Sequence, residues 1–165
     1  MAKRQVFISF EYGKDNWRAS QVKEMGKVSK DSTFSANEWE EVKEKEDNKI
    51  KKWIDDQIAK RSCIVVLIGN STANRKWINY EIERAYELDK GILGVNIHGL
   101  KNKEGKQSVK GANPFYYVKA NNGERLSKYI TRFDSIYSQS KNIYSDIEDN
   151  LEQLIENAII NKAPR

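Results

Sequence analysis

Two apolar runs and the pattern between them form the most regular part of the chain. Residues 63–68 are apolar without interruption and end at Gly69, and a second apolar run covers residues 92–97 after Gly91. Between the runs, a polar loop leads into apolar positions that recur at helical spacing as far as Leu88. This order of strand, helix and strand with short loops predicts a βαβ unit, and strands that are apolar on both faces are typical of parallel sheets.

One carboxylate stands among the apolar positions of the predicted helix. At about 100° per residue, the apolar side chains of this helix fall within an arc of roughly 140°. They are Trp77, Ile78, Ile82, Ala85 and Leu88. Glu81 lies inside that arc, whereas Glu83 and Glu87 fall outside it. A buried carboxylate needs a partner, a raised pKa or a pocket, so Glu81 is either a functional group or an edge glutamate that snorkels or pairs with a lysine.

The N-terminal part continues the alternation of strands and helices. β-Branched and aromatic residues without a breaker predict a first strand at residues 5–10. Asp15 is a candidate cap for a helix at residues 16–28. A short strand is expected around Phe34, and helical spacing predicts a further helix at residues 48–60. This alternation predicts an α/β fold with a doubly wound, mainly parallel sheet, helices on both faces and right-handed crossovers.

The pattern changes after Ile97. Residues 116–118 are a candidate strand, and the turn at residues 121–123 could fold it back on residues 126–133 as a hairpin. An apolar stripe along residues 142–161 predicts the clearest amphipathic helix of the chain. We expect this C-terminal helix to pack on the sheet, with a partner-binding helix as the alternative.

Length and composition favour one domain with a solvated surface. The chain has 165 residues with 38% hydrophobic content, which is enough for a proper core. Its mean hydropathy is −0.80, and no apolar run approaches the roughly 20 residues that span a bilayer. The apolar stretch at residues 6–10 is too short for the core of a signal peptide. We therefore expect a single domain covering residues 1–165 in the cytoplasm.

The scarcity of cysteine and histidine excludes several kinds of site. With one cysteine and one histidine, a disulfide framework and a zinc cluster are excluded, and no metal site is expected. Cys63 opens a buried strand and is expected to serve packing. His98 follows a strand, where a structural role is the favoured interpretation. Any enzymatic chemistry must therefore use carboxylates, hydroxyls, amides or lysines.

The net charge of +5, from 29 basic and 24 acidic residues, admits an anionic partner without requiring one. Lysines cluster at Lys101, Lys103, Lys106 and Lys110, but in a polar loop that carries no recognised nucleic-acid motif. A solvated loop is the favoured interpretation, so we expect no nucleic-acid partner. A negatively charged dinucleotide would also suit this charge balance.

The carboxyl ends of the predicted strands form the expected ligand site, because doubly wound sheets bind ligands there. No Gly-rich dinucleotide fingerprint follows the first strand and no Walker-type lysine loop is present, which argues against NAD held as a cofactor and against P-loop chemistry. The ends carry aromatic, amide and hydroxyl groups instead. Such a rim suits stacking and hydrogen bonding of a planar, sugar-bearing ligand.

With these residues in view, the chain resembles the TIR-like family, in the bacterial branch found in Thoeris anti-phage defence. The resemblance covers about residues 4–118, the core, and fades in the C-terminal extension at about 119–165. Its most specific part is residues 74–82, which look like the tryptophan-to-glutamate helix of NAD-consuming TIR domains. The other matching segments are residues 6–10, 34–36 with Trp39 nearby, 63–69 and 113–115. One departure is Ser35, where an aspartate would be expected after Phe34.

The resemblance implies a flavodoxin-like fold and an enzyme that cleaves NAD+ between nicotinamide and ribose. The catalytic glutamate of the family corresponds to Glu81. NAD+ is then a substrate, no cofactor is required, and the product is a cyclic ADP-ribose-type signal for a downstream effector protein. A homo-oligomer and the absence of membrane contact are also expected. The predicted substrate-binding residues are Phe10, Tyr12, Asn37, Trp39, Ser71 and Trp77.

Three functions stay open at this point. The first is the NAD+-cleaving enzyme, with either water or a group of the same molecule as the attacking nucleophile. The second is a non-catalytic TIR-like adaptor that acts through protein–protein association. The third is a sensor that holds a nucleotide without turnover.

Overall fold

The computed structural model describes residues 3–34 and 45–165. Within them, five strands form one sheet in the order β2-β1-β3-β4-β5, and every neighbouring pair is parallel. The strands are β1 Val6–Ser9, β2 Thr33–Phe34, β3 Cys63–Ile68, β4 Gly91–Asn96 and β5 Arg132–Phe133. The predicted α/β fold with a doubly wound parallel sheet is confirmed, including the short strand at Phe34.

Four α-helices accompany these strands in the described part of the chain: α1 Asn16–Glu24, α2 Asp47–Ala59, α3 Lys76–Glu87 and α4 Ser140–Ile160. The prediction that α1 extends to residue 28 is wrong. Gly26 has a φ of +69°, which a helix cannot continue through. None of the described helices is both long enough and apolar enough to span a bilayer.

Asp15 occupies the position before α1, but its side chain does not cap the helix. Its carboxylate instead accepts a hydrogen bond from Arg18 Nη1 at 2.9 Å, and both side chains are almost completely buried. The predicted capping role of Asp15 is therefore wrong, because the buried guanidinium of Arg18 binds the carboxylate that would have capped the helix.

The sheet separates two apolar layers, and alternating side chains of each strand enter opposite layers. Val6 and Ile8 pack in the layer that also contains side chains of α1 and α4. Phe7 packs in the other layer with side chains of α2 and α3. Ser9, two residues after Phe7, therefore faces α2 and α3 at the carboxyl end of β1.

The predicted strand at residues 116–118 is wrong, because the chain forms a 3₁₀ helix at Pro114–Tyr117. The Asn113 side chain accepts a hydrogen bond from Phe115 N at 2.9 Å, and Pro114 has the fixed φ that suits a first helical position. The Phe115 ring is fully buried and occupies the space beside Gly94, where a Cβ would lie 2.6 Å from the ring. Packing of this ring against the sheet favours the turn over an extended segment.

Of the predicted hairpin, the turn at residues 121–123 forms and folds the chain back, but residues 116–118 and 126–133 do not form its two strands. Only an isolated antiparallel bridge joins Lys119 and Arg125, and a second 3₁₀ helix follows at Leu126–Lys128. The later residues Arg132–Phe133 form β5, which pairs parallel to β4 instead. Leu126 is fully buried in the layer of α2 and α3, so this segment contributes to the core from a helical turn.

Helix α4 packs on the sheet as predicted. Its buried side chains belong to the same apolar layer as α1 and are Ile143, Ile147, Leu151 and Ile155. The helix approaches β4 so closely that a Cβ on Gly91 would lie 3.0 Å from the carbonyl carbon of Ala158. The C-terminal part of the chain thus supplies both an edge strand and a covering helix to the same sheet.

Candidate active site

Glu81 lies on the buried face of α3, at the side of the sheet that also contains α2. The helix buries Ile78, Ile82 and Ala85 together with Glu81, of which only 2% is exposed. The prediction from the helical pattern that a carboxylate stands among apolar positions is therefore confirmed. Its side chain does not reach solvent, and no lysine forms an ion pair with it within the described residues.

The hydroxyl of Ser9 holds one oxygen of this carboxylate. Ser9 Oγ donates a hydrogen bond to Glu81 Oε1 at 2.7 Å, and Ser9 is fully buried. Glu81 Oε2 is buried and has no hydrogen-bond partner among residues 3–34 and 45–165. Burial raises the pKa of Glu81 to about 8, and the hydrogen bond from Ser9 opposes that rise. The site thus contains a carboxyl group with one oxygen anchored and the other without a protein partner.

A second polar cluster lies at the carboxyl ends of β1 and β3. Ser71 Oγ donates to Glu11 Oε1 at 2.7 Å, and the Arg75 guanidinium forms an ion pair with the other oxygen of Glu11. Lys14 Nζ donates to Ser71 Oγ at 2.9 Å and to Asn70 Oδ1 at 3.2 Å. Arg75 Nε also donates to the backbone oxygen of Ser71 at 2.9 Å. We call Glu11, Lys14, Asn70, Ser71 and Arg75 the rim cluster.

The loop between β3 and α3 has a conformation that its sequence enforces. Gly69 N donates to the buried Thr72 Oγ1 at 2.8 Å, which turns the chain immediately after the strand. A Cβ on Gly69 would lie 2.1 Å from Asp15 Oδ2, so only glycine fits at this point. Asn74 has a φ of 60°, a left-handed conformation that asparagine tolerates better than most residues. These constraints fix where Ser71 and Arg75 lie relative to β1.

Comparison with known proteins identifies the family of the segment that contains this site. Residues 7–102 match the family described as Thoeris protein ThsB, TIR-like domain. The chain belongs to this ThsB family. One relative is the "Putative cyclic ADP-D-ribose synthase ThsB1" of Bacillus cereus (strain MSX-D12). It is 35% identical over 137 residues, which cover 78% of this chain and 71% of the relative. The resemblance to the TIR-like proteins of Thoeris is thereby confirmed.

All residues of the site lie inside the segment that matches the ThsB family. Ser9, Glu81 and the rim cluster fall within residues 7–102, whereas β5 and α4 lie beyond them. The family match therefore contains the whole candidate site. The C-terminal part of the chain adds the edge strand β5 and the covering helix α4 to the sheet.

Only some of the predicted substrate-binding residues lie near Glu81 or at the same end of the sheet. Trp77 is half-buried one turn before Glu81 on the same helix, and its ring meets Tyr80 edge to face with centroids 5.9 Å apart. Ser71 lies in the rim cluster. Tyr12 is half-buried in the turn after β1. The structure thus places Trp77 near Glu81, and it places Ser71 and Tyr12 at the same edge of the sheet.

Phe10 is not brought to Glu81. Its ring is 3% exposed and packs in the layer of α1 and α4, on the opposite face of the sheet from Ser9. It also lines a groove of about 320 Å³ with Trp17 and Phe34 on that face. Asn37 and Trp39, and also Ser35, lie outside the described residues, so their predicted roles stay predictions.

Sequence reasoning missed Ser9 and most of the rim cluster. Ser9 is the single hydroxyl in the otherwise apolar strand Val6–Ser9, which is a signal that the sequence contains. Lys14 lies five residues after the end of β1 and Arg75 seven residues after the end of β3, in loops where ligand contacts concentrate in doubly wound sheets. Their common contact with Ser71 depends on the folded loop and has no signal in the sequence.

Proposed function

We propose that this chain cleaves NAD+ at the bond between nicotinamide and ribose and converts the remainder into a cyclic ADP-ribose-type nucleotide. The observation that carries the proposal is the buried carboxyl group of Glu81, with one oxygen held by Ser9 and the other without a partner in the described residues. Membership of the ThsB family and the name of the B. cereus relative support it.

The proposed chemistry requires little beyond a well-placed negative charge. Nicotinamide leaves as a neutral base from a cationic ring, because the electron pair of the breaking C1′–N bond moves onto the ring nitrogen. No strong general acid is needed for that departure. The ribose acquires oxocarbenium character, which a nearby carboxylate stabilises electrostatically. In this proposal Glu81 supplies that charge, and Ser9 acts as a positioning residue.

The ionised form of Glu81 is the active one. Burial holds its pKa at about 8 in the free protein, so much of it is protonated at neutral pH. A bound nicotinamide ring carries a positive charge, and an opposite charge at short distance favours the carboxylate. NAD+ therefore promotes the ionisation that its own cleavage requires.

The fate of the ribosyl cation depends on the nucleophile that reaches it first. Water gives ADP-ribose, whereas a hydroxyl or an adenine nitrogen of the same molecule gives a cyclic nucleotide. A site that excludes water and holds the substrate folded back favours the intramolecular reaction. The depth of Glu81, with 2% exposed, supports a site of this kind. In this proposal, the nucleotide signals to a separate effector protein in anti-phage defence in the cytoplasm, and NAD+ is consumed as a substrate.

We also propose that the active form is a homo-oligomer of this chain. Turnover that rises faster than in proportion to the protein concentration would support a homo-oligomeric active form. Strict proportionality across a wide concentration range would assign the activity to the single chain.

The decisive experiment compares Glu81→Gln with Glu83→Gln, since Glu83 is an exposed residue of the same helix. Nicotinamide release from NAD+ is measured by chromatography, and the nucleotide product is identified by mass spectrometry. We expect Glu81→Gln to lose activity by at least about 100-fold, while Glu83→Gln retains it. Thermal unfolding of both variants controls for misfolding. Full activity in Glu81→Gln would contradict the mechanism, and a wild-type chain without turnover at any concentration would favour the non-catalytic adaptor.

A further inference from the structure

Lys14 has donor capacity that the protein leaves unused. Its ammonium group has three N–H donors, and two of them donate hydrogen bonds to the neutral oxygens of Ser71 and Asn70. No carboxylate lies within ion-pair distance of Lys14 in the part of the chain that the structure describes. The lysine is exposed at the edge of the sheet, where a ligand can reach it. A cation that has no direct ion pair among the described residues and is held in place by two neutral acceptors is suited to an anionic ligand.

Arg75 contributes a second, preoriented cation. Glu11 is 8% exposed, and its two oxygens are taken by Ser71 and Arg75. The Arg75 side chain remains half exposed, and its Nη1 donors have no partner within the described residues. The guanidinium is therefore fixed on one side by Glu11 and open on the other. Counting Glu11 as −1 and Lys14 and Arg75 as +1 each, the rim cluster has a net charge of +1.

The spacing between this cluster and Glu81 suits one ligand. Glu11 follows Ser9 by two residues, which is at most about 7 Å of extended chain. Arg75 precedes Glu81 by six residues at the start of α3, which is about 9 Å of helical rise. The first turn of α3 has no side-chain cap, so its N–H groups add to the positive field at the same end. Backbone separations of this size allow one ligand to reach from Glu81 to the rim cluster.

We propose that Lys14 and Arg75 bind the diphosphate of NAD+ and thereby hold the substrate at the site that contains Glu81. This inference rests on the proposed function and names the subsite of the same reaction. A diphosphate can accept from the ammonium of Lys14 and from the free edge of the Arg75 guanidinium together. The neutral acceptors Asn70 and Ser71 keep Lys14 in position before the ligand arrives, so little side-chain entropy is lost on binding.

The diphosphate contact is equally strong before and during bond cleavage, because the reaction changes no charge on the phosphates. Its loss should therefore raise KM for NAD+ and leave kcat nearly unchanged. A lysine that serves only to hold the β3–α3 loop would not produce this split. Loss of the loop would lower kcat as well.

The test uses the full chain with Lys14→Gln, Lys14→Arg and the matched control Lys60→Gln. Lys60 is exposed at the end of α2, just before β3, and so lies at the opposite edge of the sheet. KM and kcat are measured for NAD+ and for nicotinamide riboside, which has no phosphate. Binding of ADP-ribose and of inorganic pyrophosphate is measured in parallel by calorimetry, which requires no turnover.

We expect Lys14→Gln to raise KM for NAD+ and Kd for ADP-ribose by about 10-fold, with a much smaller effect on nicotinamide riboside. Lys14→Arg should retain most of the affinity, and Lys60→Gln all of it. Normal turnover with an unchanged KM and Kd in Lys14→Gln would overturn the inference. So would an equal loss with both substrates. If the wild type fails to release nicotinamide but still binds ADP-ribose through Lys14, the proposed function is overturned and the diphosphate subsite is supported.

Discussion

Ser9 Oγ lies 2.7 Å from Glu81 Oε1 and joins the carboxyl end of β1 to the buried face of α3. The two residues are 72 positions apart in the chain. Burial favours the protonated form of Glu81, while the hydroxyl of Ser9 favours the ionised form. The balance between these two effects determines how much of the carboxylate is available to a cationic substrate.

Replacing Ser9 by alanine should weaken catalysis without abolishing it. Glu81 Oε1 then loses its donor, its pKa rises further, and its orientation is less well fixed. We expect nicotinamide release at neutral pH to fall by about 10-fold or more, as for loss of a hydrogen bond to a charged group. The pH profile of kcat/KM should move to higher pH. Ser145→Ala, at an exposed position of α4, should change neither quantity, and an unchanged profile in Ser9→Ala would remove Ser9 from the site.

The activity of the wild-type chain should depend on pH through Glu81. The ionised fraction rises about tenfold per pH unit below the pKa, which is about 8 in the free protein. We therefore expect kcat/KM for NAD+ to rise from pH 6 to pH 8 and to level off above it, while kcat levels off at a lower pH because the bound cation favours ionisation. Initial rates across this range test the expectation. A flat kcat/KM profile would show that the titration of Glu81 does not limit the reaction.

The free energy of unfolding should fall as the pH rises, whereas the activity should increase. The folded-state pKa of Glu81, about 8, lies above the ordinary value of 4.5, so the folded protein binds this proton more tightly than the unfolded chain does. Its contribution to the free energy of unfolding is fully present below pH 4.5 and is lost as the pH rises through 8. The loss amounts to about 1.4 kcal/mol per pH unit within that window.

Urea unfolding of the wild type and Glu81→Gln at pH 5, 6, 7 and 8 measures this effect. Glutamine does not titrate, so the difference in unfolding free energy between the two proteins should change steadily in favour of the variant as the pH rises. Glu83→Gln supplies the control at an exposed position of the same helix. A constant difference across the range would show that the pKa of Glu81 is not raised in the folded state.

Local periodicity accounts for the features that the sequence predicted well. The apolar run at Cys63–Ile68 is a property of six consecutive residues, and the buried stripe of α3 is a property of one short helix. Both can therefore be recognised from the local sequence. The anomaly of Glu81 is a property of that stripe, so it was visible without any tertiary information.

Tertiary packing decides the features that the sequence did not predict. The 3₁₀ helix at Pro114–Tyr117 forms where the ring of Phe115 fills the space beside Gly94, and nothing in the local sequence specifies that contact. Phe10 was predicted as a substrate contact at the carboxyl end of the first strand. Neighbouring strand residues point to opposite faces, so once α3 is known to cover the face of Ser9, Phe10 must lie on the other one.

The buried pair of Asp15 and Arg18 provides a test of how the rim of the site is supported. Arg18 is 3% exposed, and its guanidinium donates to Leu100 O at 2.7 Å and to Lys106 O at 3.1 Å as well as to Asp15. It thus ties α1 to the loop after β4. Burial raises the pKa of Asp15 although the hydrogen bond from Arg18 lowers it.

Arg18→Ala should destabilise the protein by about 3 kcal/mol, because it leaves the buried carboxylate of Asp15 without its cation. The double variant Asp15→Asn with Arg18→Ala should recover part of that loss, since the uncompensated charge is then absent. Arg4→Ala, which breaks the exposed pair with Glu156, should have a much smaller effect because solvent screens that pair. Urea unfolding at neutral pH measures all three. A double variant no more stable than Arg18→Ala would show that the bonds to Leu100 and Lys106, and not the charge of Asp15, account for the contribution of Arg18.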